Sequence, residues 1–305
     1  MTRRHFVWKV KDQELLLGER TLIMAVLNVT PDSFSDGGKY LDPDRAFARA
    51  VELEEQGADL VDIGAESTKP GAARITEAEE LRRLIPVLKR LRGKLSIPIS
   101  VDTYKSAVAE KAFEHGAAII NDPSGLTFDP GLARIAANHD GGLILNHMRG
   151  TPESWAKLPP LKDVLGSILH DLEASAHRAV RSGVERTRIV IDPGLGFGKR
   201  KEQNAEILAR LGEMARLKFP VLVAASRKSF LATSDKTTGM PLECASAAAA
   251  TAAILAGAHV IRVHDVAAMK PAVLVADQIL SFAGTSDSSE SRAAPQRSGG
   301  SRSRR

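Results

Sequence analysis

The chain has 305 residues and a single cysteine, Cys244, which excludes an internal disulfide framework and a cysteine-built zinc site and suggests a reducing compartment. Apolar residues at 43% and charged residues at 26% are ordinary for a folded protein, and the length suffices to bury a core without covalent staples. A net charge of +5 invites a nucleic-acid reading, but Arg292, Arg297, Arg302, Arg304 and Arg305 against Asp287 and Glu290 place +3 in residues 284–305, and residues 1–20 carry +2, so residues 21–283 are electroneutral.

In chain order, residues 1–20 read as a short strand pair, HFVWKV and ELLLGER around a polar turn, set as a cap before the main fold. The N-terminus has basic residues but no apolar stretch of the signal-peptide kind, and no run approaches the roughly 20 apolar residues of a membrane span. The expectation is a cytoplasmic protein, in which the acceptor-like Asn28-Val29-Thr30 has no glycosylation role. From residue 21 short apolar runs alternate with longer amphipathic segments. The runs are Leu22–Leu27, Leu60–Ile63, Ile97–Val101, Ala117–Ile120, Leu143–Leu145, Ile189–Ile191, Val221–Ala225 and His259–Val263. Their Val/Ile/Leu content with little alternation suits parallel strands covered on both faces. Helices are expected near 44–57, 76–93, 104–116, 130–138, 161–183, 201–217, 244–257 and 267–283. Asp42, Thr76 and Asp102 are their candidate N-caps, and Gly57, Gly116, Gly183 and Gly257 their ends. Eight such units in residues 21–283 predict an α/β chain folded as a (β/α)8 TIM barrel rather than a doubly wound sheet. Residues 284–305, rich in Ser, Gly and Arg, read as a disordered tail.

In a barrel of this kind chemistry gathers at the C-terminal strand ends. There the chain places Asn28, then Gly64-Ala65-Glu66-Ser67-Thr68, Asp102, Asn121-Asp122, Asn146-His147, Asp192, Ser226-Arg227-Lys228-Ser229, and Arg262 with His264-Asp265. Any one could be a helix cap or a strand-end hydrogen bond; together they predict one polar mouth. Asp102, Asn121 and Asp192 suit the donor and acceptor edge of a flat heterocycle. Lys228, Ser229, Arg262 and His264 suit an anion, unless Arg262 is spent on a buried ion pair with Asp102 or Asp192. The first loop carries Phe34 and Asp36 on a polar, glycine-containing segment, which fits a lid. A second lid candidate is Glu66-Ser67-Thr68-Lys69-Pro70-Gly71. In Asp192-Pro193-Gly194-Leu195-Gly196-Phe197-Gly198-Lys199 the glycine spacing fits neither a dinucleotide fingerprint nor a Walker A loop, so these glycines serve close backbone approach. The other histidines show no metal-ligand spacing, and His170 and His177 are expected on a solvated helix face.

The segments NVTPDSFSDGG (28–38), DIGAESTKPG (62–71), SVDT (100–103), Asn121-Asp122, HMRGTP (147–152), DPGLGFGK (192–199), SRKS (226–229) and RVHDV (262–266) resemble dihydropteroate synthases, in that family's order and across residues 21–283. The resemblance implies a pterin-binding barrel that joins p-aminobenzoate to 6-hydroxymethyl-7,8-dihydropterin diphosphate with Mg2+, releasing diphosphate and 7,8-dihydropteroate in folate biosynthesis. It implies that Asp102, Asn121, Asp192 and Lys228 hold the pterin, and that Asn28, Arg262 and His264 meet the diphosphate, Asn28 assisting the metal. It also implies that Thr68, Pro70, Phe197, Lys228 and Ser229 border the p-aminobenzoate site, with Phe34 and Asp36 brought in by loop closure. A homodimer and, from the ordinary length of loop two, a sulfonamide-sensitive site follow in the same way. Two departures stand out: Ala65 and Lys69 replace the family's usual Gly and Arg, which puts p-aminobenzoate or diphosphate affinity in question. The seventh helix is preceded by Glu243-Cys244-Ala245-Ser246 without the usual Gly-Ser, a change expected not to touch the chemistry.

Other readings predict different residues. A pterin-binding methyltransferase with a corrinoid partner would share Asp102, Asn121 and Asp192 but has no diphosphate for SRKS and RVHDV to meet. A non-catalytic pterin-binding paralogue would have no need of intact Asn28, Lys228, Arg262 and His264. A Schiff-base aldolase using Lys228 leaves the first loop and eighth strand unexplained. The five tail arginines could give only weak, salt-dependent contact with nucleic acid, so a small-molecule enzyme is expected.

Overall fold

The computed structural model describes residues 3–30, 42–67, 72–232 and 242–289, with side chains as far as residue 282. Eight parallel strands form a ring: β3 (Leu22–Asn28), β4 (Leu60–Gly64), β5 (Ile99–Asp102), β6 (Ile119–Asp122), β7 (Gly142–Asn146), β8 (Ile189–Asp192), β9 (Leu222–Val223) and β10 (Val260–Val263). They pair in the order β8-β7-β6-β5-β4-β3-β10-β9, and a parallel bridge between Ile191 and Val221 closes the circle. The eight expected runs are therefore the eight strands, shifted by one or two residues at their ends. β9 is the exception, only two residues of the expected five. The Val221 N–H donates to His259 Nδ1 at 3.1 Å, which leaves that donor out of the ladder.

The helices lie outside the ring: α1 (Pro43–Glu55), α2 (Glu77–Leu91), α3 (Ser106–Glu114), α4 (Leu132–Asn138), α5 (Val164–Arg181), α6 (Lys201–Ala209), α7 (Leu242–Leu255) and α8 (Val266–Ser289). Asp42 caps α1 by accepting from the Asp44 N–H, and Thr76 caps α2 by accepting from Glu79. Asp102 does not cap α3, contrary to the sequence expectation. That helix starts at Ser106, whose N–H donates to Asp129 Oδ2 at 2.8 Å, and the Asp102 carboxylate turns instead to Arg262. The four glycines expected to end helices all have φ between 94° and 104°. The sixth helical segment divides, α6 ending at Ala209 and a 3-10 turn covering Leu211–Leu217. α8 reaches Ser289, so residues 284–289, expected as disordered tail, propagate the helix; residues 290–305 lie outside the described residues.

The N-terminal strand pair is β1 (Phe6–Val10) and β2 (Gln13–Leu17), antiparallel. It plugs the lower end of the ring. Trp8, Val10 and Leu17 pack onto Leu22, Met24, Leu60, Ile119, Ile144, Val190, Leu222 and Val260, which all point inward. The Trp8 indole donates to the Arg188 carbonyl at 3.0 Å, satisfying its one polar atom while the ring is fully buried. Because strand side chains alternate, the next inward position on each strand lies one rung nearer the mouth. Above Leu60 stands Asp62, above Ile119 Asn121, above Val190 Asp192 and above Val260 Arg262. Hydrocarbon gives way to charge within a single rung.

Candidate active site

Arg262 is the hub of the upper rung. Its Nε donates to Asp62 Oδ2 at 2.7 Å and its Nη2 to Asp102 Oδ2 at 3.0 Å. Asn121 Nδ2 donates to the same Asp62 oxygen at 3.0 Å. Burial works against the charge of Arg262, but the flanking Asp62 and Asp102 outweigh it and raise its pKa. Burial pushes the Asp102 carboxyl up to about 7, against the pull of Arg262. Asn28, at the end of β3, sits close to this group. A Cβ added to Gly64 would lie 3.4 Å from Asn28 Oδ1 and 3.7 Å from the Asp102 Cβ, so the glycine opens the space between them.

Asp192 and Lys228 form the second half of the mouth. Burial raises the Asp192 carboxyl, opposed by the charge of Lys228 and by the Gly194 N–H, which donates to its Oδ1 at 2.7 Å. Burial lowers Lys228 to about 8, with Asp192 holding it up and Arg262 pressing it down. The Lys228 ammonium donates to the Leu195 carbonyl and lies 4.5 Å from the centroid of the Phe197 ring. Phe197 in turn meets Trp155 edge to face at 5.3 Å. The end of β8 and the glycine-containing loop after it thus supply a carboxylate, a carbonyl and an aromatic face to one mouth. Gly194 has φ 68°, and a Cβ there would fall 1.9 Å from the His147 carbonyl oxygen, so only glycine permits this close approach. Lys199 holds the same crossing from below, donating to the carbonyls of His147 (2.8 Å) and Gly194 (2.6 Å).

His264 Nδ1 lies 3.1 Å from Ser226 Oγ, which also accepts from the His264 backbone N–H at 3.3 Å. The strand-seven loop and the strand-eight end are therefore joined beside Arg262. Ser229 is exposed at the rim, at the start of a 3-10 turn over Ser229–Leu231. Phe34, Asp36, Thr68, Lys69 and Pro70 lie outside the described residues.

Asp122, His147 and Asp265 serve the scaffold, and Asn146, at the inward phase in register with Asp192, also spends its amide there. Asp122 accepts from the Ser124 and Leu126 backbone N–H groups at 2.8 and 2.6 Å. Asn146 donates to the Pro123 carbonyl at 2.7 Å. His147 points outward to Asp171 at 3.1 Å, and burial lowers its pKa to about 4. Asp265 caps α8 through the Ala268 N–H at 2.9 Å. Glu66, in the second lid candidate, accepts from the Tyr104 hydroxyl at 2.9 Å and pairs with Lys105, anchoring the stem of that loop. The start of the seventh helix packs against the strand-seven loop. Ser246 Oγ accepts from the Arg227 N–H at 3.0 Å and Glu243 pairs with the Arg227 side chain at 2.8 Å, next to Lys228. Arg227 sits in the left-handed region at φ 57°, and these contacts hold it there.

Asp62 is the site residue that the strand-end reading missed. Its signal was an isolated acid in the otherwise apolar run Leu60-Val61-Asp62-Ile63, at the inward phase of a strand covered on both faces.

The arrangement combines a carboxylate and amide edge with an adjoining cationic group in one mouth. Matches to known proteins agree with it. Residues 24–264 match the family described as pterin binding enzyme. A dihydropteroate synthase from Synechocystis is 42% identical over 263 residues, 86% of this chain and 91% of that one. The Yersinia pestis dihydropteroate synthase, solved with a sulfonamide drug complex, superposes with a TM-score of 0.82 at 36% identity, covering 91% of this chain and all of that one. The Xanthomonas albilineans dihydropteroate synthase, solved in complex with 7,8-dihydropteroate, does so with a TM-score of 0.75 at 37% identity over 87% of this chain and 95% of that one. The chain belongs to the pterin-binding enzyme family and, within it, to the dihydropteroate synthases.

Proposed function

We propose that the chain condenses 6-hydroxymethyl-7,8-dihydropterin diphosphate with p-aminobenzoate, giving 7,8-dihydropteroate and diphosphate. The observation that carries this reading is the joining of Asp102, Asn121, Asp192 and Lys228 with Arg262 in one mouth, a heterocycle edge beside an anion group. Asp102 and Asp192 accept from the amino-pyrimidine edge, and Asn121 and Lys228 complete it. The expected alternative for Arg262, a buried ion pair with Asp102, is present and holds the guanidinium at the mouth, where Arg262 and His264 take the diphosphate. The C–O bond to diphosphate breaks with its electron pair leaving on oxygen, the arylamine nitrogen forms the new C–N bond, and its proton is lost. Because an arylamine is a weak nucleophile, the gain comes from stabilising charge on the leaving group. Phe197 lines the approach of the aromatic amine, with Lys228 above its ring.

Mg2+ fits this donor set. Among the described residues no three His, Cys, Asp or Glu side chains gather as a metal cage, whereas Asn28 offers one hard oxygen toward the mouth. Mg2+ is commonly held by one or two protein ligands together with substrate phosphates and water. When bound, it would neutralise charge on the diphosphate, with Asn28 as its protein ligand.

Release of diphosphate that depends on both p-aminobenzoate and the pterin diphosphate tests the reading, with Mg2+ titrated in the same assay. Absence of p-aminobenzoate-dependent release from folded protein defeats it. Loss of activity is expected for Lys228→Ala and Asp102→Ala. Competition of a sulfonamide with p-aminobenzoate is the accompanying expectation, supported by the Yersinia pestis relative's drug complex.

A homodimer is part of the proposal. α8 exposes Leu274 (59%), Val275 (55%), Ile279 (48%) and Phe282 (70%), and residues 275, 279 and 282 fall on one helical stripe. Sedimentation should show a dimer that Val275→Glu with Ile279→Glu converts to a monomer. A cytoplasmic location is part of the same proposal; no helix among the described residues is long and apolar enough to cross a membrane.

A further inference from the structure

Asp62 is fully buried in the rung beneath the mouth, between Val26 of β3 and Ser100 of β5 in the strand register. One of its oxygens, Oδ2, accepts both from Arg262 Nε and from Asn121 Nδ2. The other, Oδ1, is buried with no hydrogen-bond partner. A carboxylate kept for folding alone would be expected to use both oxygens, and an apolar side chain of similar volume would cost less to bury. The oxygen that is used is the one shared by two residues of the mouth.

We propose that Asp62 is a positioning residue, whose single oxygen Oδ2 registers the leaving-group anchor Arg262 against the heterocycle anchor Asn121. This rests on the reaction proposed above. The heterocycle and the diphosphate are separated in the substrate by only a methylene and an oxygen, so their two anchors must keep a fixed spacing while that C–O bond breaks. Arg262 reaches the mouth on a long, freely rotating side chain, and ordering it is costly unless a partner fixes the stem of the guanidinium. Asp62 holds that stem at Nε, and Asp102 holds one arm at Nη2. Asp102 faces the mouth and must also accept from the arriving heterocycle. Asp62 lies below it, so its hold on Arg262 persists when substrate binds. Asp62→Asn keeps an acceptor of the same shape for both donors and removes the charge; Asp62→Ser removes the reach as well.

The test is a pair of double-mutant cycles read by calorimetric binding, with inorganic diphosphate in the presence of Mg2+ as one probe and 6-hydroxymethyl-7,8-dihydropterin as the other. Asp62→Asn should weaken diphosphate about tenfold, the size expected when a charge-assisted hydrogen bond to its anchor is lost. In an Arg262→Lys background the same change should have little further effect. It should likewise weaken the pterin, and do so far less in an Asn121→Ala background. Turnover by Asp62→Asn should fall in kcat rather than only in KM, since the spacing matters most as the bond breaks. A folded Asp62→Asn with wild-type affinity for both probes overturns the proposal, as does full additivity in both cycles. Should Asp62→Asn be insoluble, Asp62→Ser decides. Unfolding of both, under conditions where Arg262→Lys and Asn121→Ala stay folded, also overturns it by making Asp62 a folding residue. The wild type, assayed alongside, separates these outcomes from failure of the proposed reaction: binding coupling does not require turnover, whereas absent p-aminobenzoate-dependent diphosphate release concerns the reaction alone.

Discussion

The Lys228 ammonium lies 4.5 Å from the centroid of the Phe197 ring, so one cation serves the heterocycle side of the mouth and the aromatic wall at once. Replacing Phe197 with Leu removes the ring face and its attraction for the cation. The expected outcome is a KM for p-aminobenzoate raised about threefold to tenfold, as for loss of a contact worth roughly 1 kcal/mol, with the KM for the pterin diphosphate changed less. Steady-state kinetics with each substrate varied in turn checks the split.

Two titrating groups of the mouth set a working range. Asp102, pushed up to about 7 by burial, among Asp62, Glu80, Asp122 and Arg262, must be ionised to accept from the heterocycle. Protonation below that value weakens binding. Lys228, lowered to about 8 by burial beside Asp192, Arg262 and Asp102, loses its charge above that value. A plot of kcat/KM for the pterin diphosphate against pH should therefore fall on both sides of the interval from about 7 to about 8. Lys228→Arg should show lower activity and no basic limb, because a guanidinium keeps its charge. A profile flat from acid to base would contradict both assignments.

Eight strands, their order and the polarity of their ends could be read from apolar runs and the residue that follows each. Which polar residue faces inward could not, because that depends on strand phase. Asn121 and Asp122 are neighbours, yet one donates to Asp62 inside the barrel and the other closes a turn outside it. Asn146 and His147 divide in the same way, Asn146 at the inward phase in register with Asp192 and His147 outward to Asp171, although the Asn146 amide is taken by the Pro123 carbonyl. Phase was recoverable in principle from the plugging rung, since Leu60, Ile119, Val190 and Val260 set the inward parity of their strands. Contacts made across the sequence gave no local signal at all. The hold of Ser246 and Glu243 on Arg227 joins residues 16 to 19 apart across a segment with no repeating pattern.

That hold has a kinetic consequence. Ser246→Ala leaves the Arg227 N–H without its acceptor and loosens the left-handed turn that aims Lys228. The cost should be about 1–2 kcal/mol at the turn, seen as a kcat/KM for the pterin diphosphate reduced several-fold to tenfold. Glu243→Gln, which keeps an acceptor at the exposed end of the same contact, should have a smaller effect. Equal losses for the two variants would show that the turn is held by the ion pair.

At the opposite end of the ring, Trp8→Ala should be a stability mutation. The indole is fully buried among the inward rung and its N–H is satisfied by Arg188. Removing it should lower unfolding free energy by about 3–5 kcal/mol, measured by urea titration, while the folded fraction keeps its kcat/KM. A matching loss of specific activity in the folded fraction would mean that the plug also shapes the mouth.

The rung of Leu60, Ile119, Val190 and Val260 has a bearing on more than packing. It sets the electric permittivity of the floor on which Asp62, Asn121, Asp192 and Arg262 stand. Fields between those groups are strong because the medium beneath them is unpolarisable hydrocarbon rather than water. The N-terminal hairpin, at the opposite end of the barrel, helps to determine how sharply the mouth can respond to charge: by keeping water from rising through the barrel, it acts as the insulator of the active site.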